Sequence, residues 1–210
     1  MKPGSFITLE GIEGAGKTTC MAQVQALLEA AGKEVMKTRE PGGTDLGEDL
    51  RRLLLGHKHT GMAEDSELLL MFASRAEHLQ RKILPALERG EWVLCDRFTD
   101  ATYAYQGGGR GIENARIQQL ESWVQRGVKP DLTLLLDLPV ELGLKRAGKR
   151  SAPDRFESEA LNFFEKVRDA YLDLANAEPG RIKIIDASLP LEEVASQIIL
   201  AIENFLVEPS

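Results

Sequence analysis

Cysteine is nearly absent: Cys20 and Cys95 are the two in a chain of 210 residues. They fall on a predicted helix and a predicted strand without metal-like spacing, which argues against a disulfide framework or a thiolate metal site and predicts buried free thiols. Histidine is as scarce, and His57, His59 and His78 form no ligand set, so they read as surface residues. No apolar run reaches the length of a membrane span, and the N-terminus has no long apolar core of a secretion signal; a soluble cytoplasmic chain without a membrane partner is expected. A basic excess is lacking too. Lys and Arg number 26 against 33 Asp and Glu, a formal net charge of -7, which argues against a nucleic-acid partner. An anionic ligand must then be met by local clusters of cations. No internal repeat or low-complexity linker is present, and the length and 43% hydrophobic content fit one domain over residues 1–210.

What is there is glycine at telling positions. Gly11-Ile12-Glu13-Gly14-Ala15-Gly16-Lys17-Thr18 has the spacing of a phosphate-binding P-loop. Backbone amides converge on phosphate oxygens only where no Cβ blocks the approach or the turn. Lys17 would reach the outer phosphates, and the Thr18 hydroxyl would hold a magnesium ion. The context fits: Ser5 to Glu10 reads as a buried strand, and Met21, Val24, Leu27 and Leu28 recur at helical spacing after Lys17. The start of that helix adds its own partial positive charge.

Further along, strands and helices alternate to the end of the chain, which predicts an α/β fold with a parallel sheet. The second strand, Glu34 to Thr38, runs into Arg39-Glu40-Pro41-Gly42-Gly43-Thr44, with Thr44 placed to cap a helix containing Leu50, Leu53 and Leu54. A long helix is expected over 66–89, its buried side marked by Leu68, Met71, Phe72, Leu79 and Ile83. Arg75 shares that apolar face, where a cation must pair with a core carboxylate or with the oxygens of a ligand. Strand Trp92 to Asp96 closes on a carboxylate suited to a magnesium-linked acid. Phe98, Thr102, Tyr105 and Gln106 fall on one face of a short helix and suit a nucleobase; Gly107 to Gly109 then read as a flexible or tightly turned link. Strands Leu132 to Asp137 and Arg181 to Asp186, with helices near 113–125, 158–177 and 191–206, complete the pattern. After Pro139 comes a cation-rich stretch, Lys145, Arg146, Lys149 and Arg150, followed by Ser151 to Arg155. It is either a solvated basic face or a cover for a triphosphate.

Taken together, the P-loop with Glu13 inside it, Arg39-Glu40-Pro41-Gly42-Gly43, Phe72 with Arg75, Asp96-Arg97-Phe98, Tyr105-Gln106-Gly107-Gly108 and Asp154-Arg155-Phe156-Glu157 resemble the bacterial thymidylate kinase family over nearly the whole chain. The resemblance implies a P-loop fold with five parallel strands in the order 2-3-1-4-5, a homodimer, and transfer of the ATP γ-phosphoryl to dTMP with Mg2+. It assigns residues 11–18 and Arg146 to ATP, and Thr18 and Asp96 to the metal. It gives Phe72 to stacking on thymine, although relatives carry that Phe one position earlier, at Met71 here. Arg75 goes to a base carbonyl, Thr102 and Gln106 to the other base edge, and Tyr105 to the sugar. Glu13 meets the 3'-hydroxyl, and Arg39, Arg51 and Arg97 surround the acceptor phosphate. Because Gly14 stands where another branch has an arginine, the catalytic cation beside Lys17 and Arg97 is expected from Arg150 or Arg155, in a lid at about 148–156. A kinase for another nucleoside or monophosphate and a P-loop ATP switch are the rival expectations.

Overall fold

Runs rich in leucine, isoleucine and valine give the five strands of the sheet: β1 (Phe6–Glu10), β2 (Val35–Arg39), β3 (Trp92–Asp96), β4 (Leu132–Asp137) and β5 (Ile182–Asp186). All pairings are parallel and the order is β2-β3-β1-β4-β5, as the resemblance implied. The structure is a computed structural model, and it describes residues 4–148, 155–156 and 159–207. The helices are α1 (Lys17–Ala30), α2 (Asp45–Leu55), α3 (Glu64–His78), α4 (Leu84–Glu88), α5 (Thr99–Thr102), α6 (Asn114–Gln125), α7 (Val140–Ala147), α8 (Leu161–Ala177) and α9 (Leu191–Val207).

The central strands are buried on both faces, which is why their sequences are near-continuous in apolar residues. Ile7, Leu9, Leu94, Leu134 and Leu136 are packed into one core with Val24 and Leu28 of α1, Phe164 and Val167 of α8, and Ile198 and Ile202 of α9. A second cluster joins Phe6, Val93, Cys95 and Phe98 to Leu79 and Ile83. Each such side chain contributes about 1.5–3 kcal/mol of burial. Thr8 and Thr133 are polar residues buried within the central strands; they face each other across the β1–β4 pairing and bond hydroxyl to hydroxyl at 2.7 Å. Both cysteines are free and buried, as expected.

Register decides what meets at the carboxyl edge. Leu9 is opposite Asp96, and Arg39 is opposite Asp96 on the other side, so the loops after β1, β2 and β3 leave the sheet together. Such an edge, where connections leave in opposite directions, is where open α/β sheets bind ligands.

Two expectations need correction. The helix expected over 66–89 begins at Glu64 and carries a wide π-type stretch at Leu79–Ile83 before α4. Pro85 lacks an amide proton and its ring crowds the carbonyl four residues back, so regular pairing cannot continue through it. Gly107 to Gly109 are not a loose link but part of a π-helical stretch, Tyr103–Gly109, that continues α5. Their role is close approach: a Cβ on Gly108 would lie 2.7 Å from Ala170 Cβ, and one on Gly109 2.5 Å from the Phe163 ring, both on α8. Thr44 caps α2 as expected, its hydroxyl accepting from the Gly47 amide at 3.0 Å. Lys149 to Asp154, including Arg150, lie outside the described residues.

Candidate active site

The P-loop runs from the end of β1 into α1. Gly16 sits at φ +91, a conformation that only glycine adopts without strain, and delivers the chain into the helix at Lys17. Gly14 is required twice over. Its φ is +74, and a Cβ would lie 1.9 Å from the carbonyl oxygen of Gly143 on α7. An arginine at position 14 therefore has no room unless α7 moves, which gives a physical basis for seeking the catalytic cation elsewhere. Lys17 Nζ donates to the carbonyl oxygens of Gly11 at 3.0 Å and Ile12 at 3.3 Å. Burial, followed by the charge of Arg97, pulls the lysine's proton affinity below its ordinary value, against the opposing pull of Asp96, Glu13 and Glu10.

Behind the loop stands a network of charge. Arg97 follows β3 directly and holds φ +70, a left-handed conformation uncommon for any residue with a Cβ. Its Nη2 donates to Glu13 Oε1 at 2.7 Å and its guanidinium lies 4.6 Å from the centre of the Tyr105 ring. Tyr105 in turn donates to Glu13 Oε2 at 2.6 Å. Burial would raise the Glu13 carboxyl, but Arg97, Lys17 and the Tyr105 hydroxyl outweigh it and hold the group below the ordinary carboxylate range. Deeper still, Tyr171 donates to Glu10 Oε2 at 2.7 Å and accepts from Arg97 Nη1 at 3.4 Å. Neither Glu10 nor Tyr171 was anticipated, because Glu10 reads as the last residue of a buried strand and Tyr171 as an apolar helix position.

Glu10 carries a stability prediction. Burial, and then the charge of Asp100, push its carboxyl from 4.5 up to about 8, despite hydrogen bonds from Tyr171 and the Phe98 amide. The folded state thus keeps a proton that the unfolded chain releases, so stability falls as pH rises from about 4.5 to about 8. One such proton gives a slope of at most about 1.4 kcal/mol per pH unit. Glu10→Gln, which cannot ionise, should flatten the decline in Tm across that window. An unchanged slope in the variant would place the pH dependence in other groups.

The nucleoside end of the cleft is built on α3 and the segment after β3. Arg75 Nε pairs with Glu40 Oε2 at 2.8 Å, while Nη2 donates to the Phe98 carbonyl at 3.1 Å and to Thr102 Oγ1 at 3.0 Å. Rings of Phe72 and Phe98 lie 4.8 and 5.0 Å from its guanidinium carbon. Of the two fates open to Arg75, the structure shows the first. It pairs with a carboxylate, and its Nη1 is still without a partner. Arg75 Nη1 and Asp96 Oδ1 are the two buried side-chain polar atoms lacking a hydrogen bond among the described residues, and both residues line the same cleft.

His78 requires a correction. It is fully buried, its Nδ1 against Glu40 Oε1 at 2.9 Å and its Nε2 against Thr38 Oγ1 at 2.6 Å. One helical turn from Arg75, it holds the other oxygen of Glu40 and so fixes the carboxylate that orients the arginine. Phe72 is also displaced from its expected place: Met71 lines the cleft, whereas Phe72 packs with Leu68, Ile112 and Ile117 behind Arg75. Neighbouring residues on a helix point about 100° apart, so only one of the two can face the cleft.

The cleft draws together Glu13 to Thr18, Arg51, Arg75, Asp96, Arg97, Thr102, Tyr105 and Gln106 from the expected set. Arg51 reaches it while donating to the Pro41 carbonyl at 2.8 Å. Arg39 does not line it; its guanidinium is exposed and paired with Glu48 at 2.8 Å. Arg146 donates to the Ala187 carbonyl at 2.7 Å, away from the lining. Arg155 is not poised at the phosphate end. It is 6% exposed, with Nη2 on Glu67 at 2.6 Å and Nε on the Leu54 carbonyl at 2.8 Å, while its neighbour Phe156 lines the cleft. The Asp-Arg-Phe-Glu stretch thus hides a core ion pair that a basic run in an acidic chain does not reveal.

Comparison with known proteins places this geometry in context. A family model described as thymidylate kinase matches residues 9–198. A thymidylate kinase of Alcanivorax borkumensis is 54% identical over 206 residues, spanning 98% of this chain and 99% of the relative. Another, from Thiobacillus denitrificans, is 58% identical over 196 residues, 93% of this chain and 95% of that one. Among solved structures, thymidylate kinase from Ehrlichia chaffeensis is similar with a TM-score of 0.77 and 36% identity, covering 97% of this chain and 100% of that chain.

Proposed function

The chain belongs to the thymidylate kinase family, and from that premise we propose how its residues divide the work of phosphorylating dTMP to dTDP with ATP. The observation that carries the division is the pair of buried orphan atoms, Arg75 Nη1 and Asp96 Oδ1, in one cleft with a P-loop. A buried donor and a buried acceptor left unmade cost about 1–3 kcal/mol each, a cost that would be recovered where the base meets Arg75 and a metal ion meets Asp96. Arg75 meets a carbonyl of the base, with Met71 and Phe98 as apolar walls and Gln106 on the adjoining edge. Glu13 and Tyr105 receive the sugar, Glu13 accepting from its 3'-hydroxyl. Arg97, with Arg51, holds the acceptor phosphate. The P-loop amides and Lys17 take the donor phosphates, and Arg146 is assigned to the adenosine of ATP.

The donor set suits Mg2+. Asp96 carries a buried carboxylate oxygen without a hydrogen-bond partner among the described residues, in the same cleft as Thr18, and hard oxygen donors of this kind suit an ion otherwise held by phosphate and water. Thr18 and Asp96 would hold it, and it would neutralise charge on the phosphate oxygens. Catalysis is then positioning and charge stabilisation, with no covalent enzyme intermediate. Since Gly14 excludes a P-loop arginine and Arg155 is committed to Glu67, the cation for the open side of the triphosphate is Arg150, in a lid over the donor site. The enzyme works as a cytoplasmic homodimer; Leu69 on α3 and Trp123 on α6, 55% and 73% exposed, are apolar area that such pairing would cover.

An ADP-release assay over dTMP, dCMP and thymidine, with and without Mg2+, tests the scheme. ADP should appear with dTMP and metal, and not with thymidine, which has no phosphate for Arg97. Arg150→Ala should lower kcat in the same assay. Release independent of any acceptor would instead favour an ATP-hydrolysing switch.

A further inference from the structure

Glu67 on α3 is 1% exposed and does not line the cleft. Its carboxylate gathers three donors from two distant parts of the chain, the segment of Gln106 and Arg110 and the neighbourhood of Arg155. Gln106 Nε2 reaches Oε1 at 2.9 Å, Arg155 Nη2 reaches Oε2 at 2.6 Å, and Arg110 approaches from 3.4 and 3.5 Å. A carboxylate clasped by two guanidiniums accepts hydrogen bonds and donates none. A glutamine amide carries an acceptor and a donor on one rotor, and nothing in its covalent structure decides which faces a ligand.

We infer that Glu67 makes that choice for Gln106 and thereby sets which pyrimidine the cleft accepts. With the Nε2–H group committed to Glu67, the amide turns Oε1 to the cleft. Arg75 supplies the other half, since a guanidinium donates only and its Nη1 has no partner among the described residues. A fixed donor beside a fixed acceptor matches the 4-oxo and 3-NH groups of thymine. Cytosine presents a 4-amino donor and a bare ring nitrogen, so it mismatches at both points and leaves buried groups unpaired. Glu67 is a positioning residue acting through Gln106, and Arg155 and Arg110 hold its carboxylate in place. This rests on the assignment of Arg75 and Gln106 to the base.

The test compares kcat/KM for dTMP and dCMP in the wild type, Glu67→Gln, Gln106→Ala and the double variant. A glutamine at 67 can donate as well as accept, so the amide of Gln106 is released to turn. Glu67→Gln should narrow the preference for dTMP by about tenfold or more, through KM for dTMP and not for ATP. Added to Gln106→Ala, it should change the ratio no further. The wild type gives a second readout that no folding defect can blur. The Gln106 side-chain amide protons, identified by their loss in Gln106→Ala, should resist solvent exchange both before and after dTMP is added. An unchanged dTMP:dCMP ratio in a folded Glu67→Gln, or a Gln106 amide that exchanges freely in the wild type, overturns the inference. If Gln106→Ala itself leaves the ratio untouched, the base-edge assignment is what fails.

Discussion

Lys17→Ala is expected to keep its fold and lose at least about 10³-fold in kcat, because the side chain is placed for phosphate charge and not for packing. Its ammonium rests on two carbonyl oxygens of its own loop, Gly11 and Ile12. Burial and Arg97 pull its proton affinity below the ordinary value, and an anion beside it opposes that pull. Thermal unfolding should differ from wild type by no more than a few degrees. A folded Lys17→Ala enzyme with near-normal turnover would remove the P-loop from the mechanism.

Arg97→Ala should be nearly as damaging and for two separable reasons. The side chain pairs with Glu13 and stacks on Tyr105, and losing one partner of a hydrogen-bonded charge pair costs about 2–5 kcal/mol. As the acceptor-phosphate cation, its loss should lower kcat/KM for dTMP by about 10²-fold or more while KM for ATP changes little. Glu13, no longer held down by Arg97, should become harder to ionise. Arg97→Gly separates side chain from backbone. At φ +70 a residue with a Cβ pays about 1–2 kcal/mol, so the glycine variant should unfold at a higher temperature than the alanine variant and recover no activity. Equal Tm values would show that the backbone stores no strain there; retained dTMP turnover in Arg97→Ala would transfer the acceptor phosphate to Arg51.

The sequence by itself determined the parts that are local. Glycine spacing fixed the P-loop, because φ +74 and +91 at Gly14 and Gly16 strain a residue with a Cβ, and a Cβ on Gly14 would lie 1.9 Å from the Gly143 carbonyl oxygen. Apolar periodicity fixed strands, helices and the parallel sheet, since each pattern is the imprint of one buried face. What only the tertiary structure decided is how polar side chains are partnered across the core. Glu40 lies 35 positions from Arg75, Glu67 lies 88 from Arg155, and Glu10 lies 161 from Tyr171. Each residue alone reads as a surface charge, a lid cation or a core position. Met71 and Phe72 show the same limit at short range, for both fall within the apolar arc of α3 and a rotation of about 100° decides which meets the ligand. Pairings and rotations of this kind are set by which faces pack together, and a linear pattern records that a face is buried but not against what.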